Sequence, residues 1–388
     1  MKTIAVFFGG KSTEHDVSIV TGLSSVIKPL ELTGKYDVQA VYISKDGSWY
    51  WDEKLKDIDL FTSGNIESFM QKAPKVHVLF DDGLTLVKSS QFAGRKQYKH
   101  IDIAFPAMHG THGEDGELMG LFEMAGVAYV GCSAPASAIA MDKVLAKLLV
   151  EAQHIPTPTM QFISKSDLQR NPEPFIRSVN EKLTYPLFVK PAHLGSSIGI
   201  TKVNDKSALM NALEVAAHYD DKILVEEAVA HLVEVTLPII GNENPEPAFL
   251  EEPLLKSEDF FDFDTKYMQG GKGGKKGGKN GGAQGYSKIP ADLPKELYDK
   301  AIITGLAVYK ALGCSGIARV DMLINTETQT VYFNEVNPMP GGLYAHNWQK
   351  KGISKVELVS TLVALAEERF AEKAKLHTSF STNYLKQF

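Results

Sequence analysis

The segment Gly316-Ile-Ala-Arg-Val-Asp-Met-Leu-Ile-Asn-Thr-Glu-Thr-Gln-Thr-Val-Tyr-Phe-Asn-Glu-Val-Asn337 predicts a β-hairpin, because two apolar-rich strands flank a polar turn. A turn centred on residue 328 places Asp321 opposite Glu335. The same register places Arg319 opposite Asn337. The hairpin therefore predicts two facing carboxylates with an arginine and an amide beside them.

Two facing carboxylates indicate a cation site. Because side chains alternate along a strand, one face of the hairpin is predicted to carry these four polar residues together with Leu323 and Phe333. The other face is predicted to carry Val320, Met322, Ile324 and Val336. Facing carboxylates have Cβ atoms about 4.5–5.5 Å apart and repel each other. Two carboxylates and an amide suit Mg²⁺ held with nucleotide phosphates, and the alternative is a solvated strand face.

A second signal lies upstream in Phe188-Val-Lys-Pro-Ala-His-Leu-Gly-Ser-Ser-Ile-Gly-Ile200. A strand delivers Lys190 into a loop of small residues, and Pro191 keeps that lysine extended. Small residues let backbone N–H groups approach a phosphate, whereas the alternative is an ordinary Gly-Ser hairpin turn. Glu226, at the end of a predicted strand, is a candidate acceptor for an adenine amino group or a ribose hydroxyl; a surface acid is the alternative.

The first third of the chain alternates strands with helices, which predicts a mostly parallel sheet with helices on both faces. The predicted strands are Thr3–Phe8, Tyr36–Ile43, Ile101–Phe105 and Ala128–Val130, and the predicted helices are Val17–Leu30 and Leu118–Ala125. Ligands of such sheets gather at the carboxyl ends of the strands. The loops Gly9–Asp16 and Met108–Gly116 are therefore candidate ligand-binding loops.

The remainder mixes helices with β-rich segments. The predicted helices are Ser137–Ala152, Lys206–His218, Lys295–Leu312 and Val356–Lys373, and the predicted strands outside the hairpin are Pro186–Lys190, Ile198–Val203, Lys222–Glu226 and Val233–Ile240. The Gly/Lys-rich run 270–283 is predicted to form no packed element. It is expected to be a disordered extension, with a second phosphate clamp as the alternative.

Composition indicates a soluble globular protein of two or three domains, with 388 residues, 44% apolar and 23% charged. A formal charge of -6 provides no electrostatic reason to expect nucleic acid or an anionic membrane as a partner. Two cysteines, Cys132 and Cys314, exclude a disulfide framework and suit a reducing compartment. Because no apolar run is long enough to span a membrane, we expect a cytoplasmic protein.

Six motifs in order resemble the D-alanine–D-alanine ligase family. They are Gly9-Gly-Lys-Ser-Thr-Glu14-His-Asp-Val-Ser18, His109-Gly-x-x-Gly-Glu114-Asp-Gly116, Met141-Asp-Lys143, Lys190-Pro-x-x-x-Gly-Ser196-Ser197-x-Gly199, Arg319-Val-Asp321 and Asn334-Glu335-x-Asn337-x-x-Pro340-Gly341. The resemblance implies an ATP-grasp fold behind an N-terminal doubly wound α/β domain. It further implies an N-terminal domain over 1–131, a central lobe over 132–225, and a C-terminal lobe over 226–388 that holds the lid and the insert.

The resemblance also implies a role for each motif residue. Residues implied to bind ATP are Lys143, Lys190, Ser197, Glu226, Glu234 and Lys266. The implied ligands of two Mg²⁺ or Mn²⁺ ions are Asp321, Glu335 and Asn337. Residues implied to hold the first substrate are Glu14, His109, Glu114 and Arg319. The implied catalytic group is Glu14, Ser196 and Tyr267, with Arg319 and the Gly341 N–H as oxyanion stabilisers.

The implied reaction joins two D-alanines for peptidoglycan precursors. The first carboxylate attacks the γ-phosphate of ATP, and the second amine attacks the acyl phosphate that forms. The pair Lys266-Tyr267 implies an amino acid acceptor, D-alanine first and D-serine next, and the family also implies a homodimer without nucleic acid or membrane partners.

The segment after Gly341 departs from the family, because it is shorter and lacks the usual Thr/Ser-rich stretch. Tyr344, His346 and Asn347 are predicted either to rebuild a grip on the acceptor carboxylate or to form a shortened surface turn leading into Trp348. Two alternatives therefore remain open: a related carboxylate–amine ligase with a different acceptor, and a non-catalytic ATP-binding regulator.

Overall fold

The computed structural model of the chain describes residues 1–89, 95–253 and 287–388. Strands of the N-terminal region are β1 (Lys2–Gly9), β2 (Tyr36–Ile43), β3 (Trp49–Trp51), β4 (Val76–Leu79), β5 (Leu84–Ser89), β6 (Lys96–Ile101), β7 (Ile103–Pro106) and β8 (Ala128–Tyr129). The main sheet has the order β3-β2-β1-β7-β8 and is parallel except for β3. The mostly parallel sheet predicted from the alternation is thereby confirmed.

A smaller antiparallel sheet, β4-β5-β6, was not predicted from the sequence. Its strands are half exposed and carry Lys, His and Gln, so the apolar pattern is weak. Helices of this region are α1 (His15–Val20), a π-helical continuation (Thr21–Ile27), α2 (Lys28–Leu32), α3 (Ile58–Thr62), α4 (Ile66–Lys72) and α5 (Glu117–Ala125). A short 3₁₀ turn covers Glu53–Lys56.

The main sheet is covered on both faces. Phe8 on β1 packs in one core with Leu23 and Leu30 of the α1–α2 segment. Phe7, the next residue, packs in a second core with Phe122 of α5, with ring centroids 5.0 Å apart. Alternate residues of one buried strand thus pack into two different cores, one on each face of the sheet, as in a doubly wound sheet.

The central region begins with α6 (Ala134–Met141) and α7 (Lys143–Ala152). A single helix over 137–152 was predicted, and that prediction is wrong. Asp142 between them is non-helical (φ -91°, ψ 98°), and its side chain accepts from the N–H groups of Val144 and Leu145. Because Asp142 caps α7, the chain starts a new helix there and presents Lys143 at its first position.

A four-stranded sheet of order β11-β10-β12-β9 follows. Its elements are β9 (Met160–Ser164), α8 (Lys165–Arg170), α9 (Glu173–Lys182), β10 (Leu187–Pro191), β11 (Thr201–Val203), a 3₁₀ turn (Lys206–Ala208), α10 (Leu209–Tyr219) and β12 (Lys222–Glu227). The predicted strand 198–203 starts three residues late, at Thr201. Gly199, which lies inside the predicted strand, has a positive φ of 73°, outside the β region that a regular strand requires.

The C-terminal region contains β13 (Leu232–Gly241), β14 (Glu246–Pro247), β15 (Glu252–Pro253), β16 (Ser287–Lys288), α11 (Lys295–Ala311), β17 (Gly316–Asn325), β18 (Thr330–Asn337), a 3₁₀ turn (Gly341–Tyr344), α12 (Ala345–Lys350), α13 (Lys355–Ala374) and a last 3₁₀ turn (Tyr384–Gln387). The sheet order is β14-β13-β17-β18. The Gly/Lys-rich run 270–283 and the lid pair Lys266-Tyr267 lie outside the described residues.

The β17–β18 hairpin has the predicted register at its functional end. Asp321 pairs with Glu335 and Arg319 with Asn337. A β-bulge then shifts the register, because Met322 pairs with Phe333 and one residue of β18 is skipped. The prediction that Phe333 shares the polar face is therefore wrong: it is fully buried in the apolar core.

The closing helix α13 packs back on the N-terminal sheet, where Leu362 and Val363 join the same core as Ile4 and Phe8. The predicted domain boundaries at residues 131 and 225 stay a prediction. β12 runs through the boundary at residue 225, and α13, which belongs to the predicted C-terminal lobe, packs on the N-terminal sheet. Among the described residues, no helix has the length and apolar character needed to cross a membrane.

Candidate active site

The acidic end of the hairpin is the first part of the site. Arg319 donates from Nε to Asp321 Oδ1 at 2.7 Å and pairs with the other oxygen through its second nitrogen. Asn337 donates from Nδ2 to Asp321 Oδ2 at 3.1 Å. Side chains of Arg319 and Asp321 are only 15% and 13% exposed, so this ion pair is poorly screened by solvent.

Lys143 connects the hairpin to the loop after β10. Its ammonium donates to the Leu194 carbonyl at 2.7 Å and lies 3.1 Å from Glu335 Oε2. This geometry follows from the break at Asp142, because the first residue of α7 points toward both partners. Lys143 thus lies between a loop predicted to bind phosphate and a carboxylate predicted to bind metal.

The donor set at this end of the hairpin fits a divalent cation. Asp321 and Glu335 face each other in register, and Asn337 places an amide within hydrogen-bond distance of Asp321. Carboxylate and amide oxygens are the ligands that Mg²⁺ and Mn²⁺ prefer. Lys143 and Arg319 offset the two negative charges in this structure.

Residues 192–199 form a tight loop between β10 and β11. Ser196 and Ser197 have left-handed backbones (φ 53° and 59°), a conformation that concentrates N–H groups in one concave surface. The Ser196 hydroxyl donates to Glu14 Oε1 from 182 residues away. This contact brings Glu14 of the first motif against the loop after β10, and the substrate role of the two residues stays a prediction.

Glu14 lies between two glycines that leave room for it. A Cβ on Gly195 would lie 3.2 Å from Glu14 Oε2, and a Cβ on Gly110 would lie 3.0 Å from the same oxygen. Gly110 also has φ +71°, a conformation that L side chains rarely adopt. Both glycines are needed because their backbones approach the carboxylate so closely.

His109 and Glu114 are buried, with exposures of 3% and 4%. Glu114 accepts from the N–H groups of Gly110 at 2.7 Å and Met339 at 3.2 Å. Burial, reinforced by the nearby Glu14 charge, raises the pKa of Glu114 to about 8. Burial lowers the pKa of His109, so its imidazole is neutral near pH 7. These side chains shape the pocket through protein contacts, and direct substrate contact stays a prediction.

Thr21 was missed by the sequence analysis. Its hydroxyl lies 2.8 Å from His109 Nε2 and accepts from the Gly342 N–H at 2.9 Å. It thereby links the loop after β7 to the turn after Gly341. Thr21 starts the π-helical stretch, and such distortions are frequent at functional sites, but nothing in the apolar pattern marks one.

Two lysines enclose Glu226. Lys190 donates to Glu226 Oε1, and Lys147 Nζ lies 3.0 Å from Glu226 Oε2. Lys190 Nζ also lies 3.4 Å from Asn334 Oδ1. Asn334 is the residue of β18 that the bulge leaves without a pairing partner on β17. Burial would raise the pKa of Glu226, but the two lysines outweigh it and lower the pKa to about 2. The predicted acceptor role toward adenine stays a prediction, since this carboxylate is only 1% exposed.

Lys147 was not singled out from the sequence, and Asn334 was quoted within a motif without a role of its own. Lys147 lies in an amphipathic helical segment, where a lysine normally marks the solvated face, yet it is fully buried.

Glu234 lies half-buried on β13 opposite Leu323.

The turn after Gly341 is not a surface turn, so that alternative is wrong. Trp348 and Asn347 are fully buried. Asn347 accepts from the Phe249 N–H and donates to Glu251 Oε2, both at 3.0 Å, so its amide is committed to the protein. His346 Nε2 lies 3.0 Å from the same Glu251 oxygen.

The guanidinium carbon of Arg319 lies 5.2 Å from the centre of the Tyr344 ring. The Tyr344 hydroxyl is 3.2 Å from Thr236 Oγ1. Gly342, Leu343 and Tyr344 are all left-handed, with φ of 60°, 56° and 51°. Each non-glycine residue in this conformation costs roughly 1–2 kcal/mol. Such strain is often found beside a functional site, and here the turn holds an aromatic ring against the arginine.

The chain is similar to known proteins along nearly its whole length. The family models "D-ala D-ala ligase N-terminus" and "D-ala D-ala ligase C-terminus" match residues 3–132 and 149–364. A protein of Acetivibrio thermocellus named D-alanine–D-alanine ligase is 37% identical over 392 residues, covering 96% of this chain and 98% of that protein. One from Chloroherpeton thalassium with the same name is 34% identical, covering 96% and 98%.

Solved structures show the same fold. The VanG D-Ala:D-Ser ligase from Enterococcus faecalis has a TM-score of 0.76 and 32% identity, covering 94% of this chain and 99% of that one. A D-alanine–D-alanine ligase from Coxiella burnetii has a TM-score of 0.76 and 26% identity, covering 97% and 98%. With both halves matched by family models and full-length relatives above 30% identity, the chain belongs to the D-alanine–D-alanine ligase family of ATP-grasp enzymes.

Proposed function

We propose that this protein joins two D-alanine molecules at the expense of ATP, through an acyl-phosphate intermediate, and so supplies D-alanyl-D-alanine for peptidoglycan precursors. The carboxylate of the first D-alanine attacks the γ-phosphorus of ATP and releases ADP. The amine of the second D-alanine attacks the acyl carbon, loses a proton and expels phosphate. Family membership and the names of the full-length relatives support this proposal.

The observation that carries the proposal is the contact between Ser196 and Glu14. An ATP-binding regulator would need a phosphate loop but would not need an acidic residue held against it from 182 positions away. Glu14 would receive the ammonium group of the first D-alanine, and Ser196 would hold Glu14 in place. Arg319 would stabilise negative charge on the reacting carboxyl group, together with the Gly341 N–H.

Lys143, Lys190 and Ser197 would hold the ATP phosphates, with Glu234 at the ribose end. Asp321, Glu335 and Asn337 would hold two Mg²⁺ or Mn²⁺ ions, which would neutralise the phosphates and align the γ-phosphorus for attack. Lys143 would exchange its contact with Glu335 for a phosphate contact when the ions bind. Lys266 and Tyr267 would complete the site, and their positions lie outside the described residues.

The acceptor would be an amino acid, with D-alanine preferred and D-serine second. Of the solved relatives, the VanG structure is described as a D-Ala:D-Ser ligase, so both acceptors occur among similar proteins. Asn347 is committed to Phe249 and Glu251, and His346 Nε2 also lies 3.0 Å from Glu251. Tyr344 and the other ring nitrogen of His346 would therefore contact the acceptor carboxylate. Cytoplasmic ATP supports a cytoplasmic site of action, and a homodimer is proposed from family membership.

The test is a panel of D- and L-amino acids and D-lactate, scored both by ADP release and by product mass. We expect D-alanine alone with ATP and Mg²⁺ to produce the dipeptide. Asp321→Ala and Glu335→Ala should each abolish ligation and leave the folded far-UV spectrum intact. A dipeptide that forms only with another acceptor would overturn the D-alanine assignment, and absence of any product would favour the regulator.

A further inference from the structure

The 3₁₀ turn Gly341–Tyr344, here named the oxyanion turn, begins with the backbone N–H that is proposed to stabilise negative charge on the reacting carboxyl group. Side chains of the N-terminal region hold the chain on both sides of that N–H. Before it, the Met339 N–H donates to Glu114 Oε1 at 3.2 Å. After it, the Gly342 N–H donates to Thr21 Oγ1 at 2.9 Å. The N-terminal region therefore restrains both flanks of the proposed oxyanion donor.

The Thr21 hydroxyl has two partners, and their chemistry fixes its direction. Its oxygen accepts from the Gly342 N–H, and His109 Nε2 lies 2.8 Å away on the other side. Burial lowers the pKa of His109, so the imidazole is neutral near pH 7 and its Nε2 can accept a proton. The arrangement that satisfies every group therefore has the Thr21 hydroxyl donating to His109 while it accepts from Gly342.

Thr21 is 1% exposed, so bulk water cannot replace its hydroxyl. A buried donor or acceptor that loses its partner carries the full cost of its desolvation. Loss of this one hydroxyl would leave two groups without a partner, the Gly342 N–H and the His109 Nε2.

The helical segment that carries Thr21 also carries residues of the pocket proposed for the first amino acid. Glu14, at its start, meets Ser196. Ser18, one turn later, accepts from the His109 backbone N–H at 2.9 Å. Thr21 follows Ser18 by three residues, which places both side chains on the same side of the helix. One continuous segment therefore reaches from this pocket to the oxyanion turn.

The oxyanion turn is strained, which explains why a restraint on it matters. Gly342, Leu343 and Tyr344 all have left-handed backbones, with φ of 60°, 56° and 51°. Such a conformation persists only where the surrounding structure holds it in place. The contact between Thr21 and the Gly342 N–H supplies part of that support from a separate region of the chain.

We propose that Thr21 is a positioning residue, which fixes the oxyanion turn, and with it the Gly341 N–H, relative to the pocket for the first amino acid. Thr21 touches no reacting atom and acts through Gly342 and His109. An oxyanion donor is effective only when it is held in place before the charge develops, so a small displacement of the turn should slow the reaction. This inference rests on the proposed ligation of D-alanine.

The deciding variant is Thr21→Val, which keeps the shape of the side chain and removes both hydrogen bonds. Thr21→Ser restores the hydroxyl and is the conservative variant. The matched control is Thr33→Val, just after α2. The Thr33 hydroxyl also donates once, to the Leu30 carbonyl at 2.7 Å, and accepts once, from the Lys35 N–H at 3.1 Å. The control therefore removes an equivalent pair of hydrogen bonds away from the oxyanion turn.

Steady-state kinetics with ATP, Mg²⁺ and D-alanine supply the first readout. We expect Thr21→Val to lower kcat about tenfold, because the oxyanion donor acts in the transition state. The KM for ATP should stay within about twofold of wild type, because neither partner of the hydroxyl is among the groups proposed to bind ATP. Thr21→Ser should retain kcat within about threefold, and Thr33→Val should match the wild type.

Hydrogen–deuterium exchange supplies a readout that does not depend on ligation. Peptides that span residues 338–345 should exchange slowly in the wild type and in Thr21→Ser, and about tenfold faster at one amide in Thr21→Val, because the Gly342 N–H loses its acceptor. Peptides from α11 should exchange alike in all variants, which separates a local change in the turn from a general loss of stability.

The inference is overturned if Thr21→Val keeps the wild-type kcat, if Thr21→Ser is impaired as much as Thr21→Val, or if the exchange of residues 338–345 does not change. A KM for ATP that rises in proportion to the loss of kcat would indicate a general structural role and would also overturn it.

If Thr21→Val does not fold, Thr21→Cys takes its place, because a thiol makes only weak hydrogen bonds. It should show a lower kcat and faster exchange at residues 338–345, and wild-type behaviour in both would overturn the inference. If the wild type makes no dipeptide, the proposed function fails, and the exchange measurement still tests the restraint that Thr21 places on the turn.

Discussion

At the residue scale, the pocket around Glu14 depends on how closely backbone can approach a carboxylate. Gly195 is the simplest case, because its φ is outside the left-handed region and its backbone conformation is open to other residues. What restricts a side chain at this position is the short distance to Glu14. An added Cβ 3.2 Å from Glu14 Oε2 requires that carboxylate to move by a few tenths of an ångström. The geometry proposed to hold the first amino acid is therefore expected to be sensitive to one methyl group.

We predict that Gly195→Ala raises the KM for the first D-alanine at least several-fold while the melting temperature changes little. Displacement of Glu14 weakens the ammonium contact but exposes no apolar surface, so the fold should persist. The control is Gly120→Ala in α5, where no atom lies within 4 Å of the added Cβ. Unchanged kinetics in Gly195→Ala would remove Glu14 from the donor site.

His193 lies near the start of the loop that follows β10. Its Nδ1 lies 2.9 Å from Asp220 and its Nε2 lies 3.3 Å from Asp142, the residue that caps α7. The hydrogen bond to Asp142, followed by that to Asp220, raises the pKa of His193 to about 9. A protonated His193 therefore links the loop after β10 to the start of the helix that carries Lys143.

His193→Gln should lower stability near pH 6 and have little effect above pH 9. Because the folded pKa is raised above the unfolded value of about 6.5, the stabilisation is fully present below 6.5 and is lost as pH rises through about 9. The side chain is 39% exposed, so solvent screening limits the effect to about 1 kcal/mol. Urea unfolding at several pH values measures it, and a pH-independent difference would contradict the assignment.

At the scale of elements, the bulge in β18 changes which face of the sheet Phe333 occupies while Glu335 stays paired with Asp321. Val331, Phe333 and Val336 all enter the core, although strict alternation would turn Phe333 to the same side as Glu335. The extra residue is Asn334, which contacts Lys190. An irregularity in pairing thus supplies both a core residue, Phe333, and a residue that contacts Lys190.

Deletion of Asn334 should remove the bulge without changing the pairs Asp321–Glu335 and Met322–Phe333 on either side of it. We expect a folded enzyme whose KM for ATP is raised a few-fold, because Lys190 loses its amide partner. The point variant Asn334→Leu keeps the bulge and serves as the comparison. Loss of cooperative unfolding after deletion would show that the bulge itself stabilises the sheet.

At the scale of the whole molecule, α13 fastens the N-terminal sheet to the C-terminal lobe. Arg369 of α13 donates to the Tyr129 carbonyl at 2.8 Å, to the Ser315 hydroxyl at 2.7 Å and to the Gly131 carbonyl. Its guanidinium also lies 4.4 Å from the centre of the Tyr129 ring. One arginine therefore joins the end of β8 to the segment before β17.

Arg369→Met should destabilise the protein by about 2 kcal/mol, because carbonyls at this junction lose a charged donor. Denaturant unfolding measures the loss. Lys373→Met on the same helix is the matched control, since its ion pair with Glu123 is 58% exposed at the lysine and should contribute under about 1 kcal/mol. Equal effects of the two substitutions would show that the Arg369 junction has no special role.

The sequence by itself determined the family, the parallel N-terminal sheet and the pairing of Asp321 with Glu335. These features follow from local rules: side chains alternate with a period of two, a short polar turn sets the register, and strands that alternate with helices pair in parallel. The motifs also predicted Glu14, Lys143, Lys190 and Ser196 as site residues, and the structure brings Glu14 against Ser196.

Only the tertiary structure decided which of these residues meet and what holds them. Glu14 and Ser196 lie 182 residues apart, and Thr21 and Gly342 lie 321 apart, so no local pattern joins them. Lys147 has the sequence context of a solvated lysine, and only the packing of α7 on β12 and β18 buries its charge beside Glu226. Burial converts an ordinary surface charge into one that must be paired, and burial is a property of packing between elements, not of the helix alone.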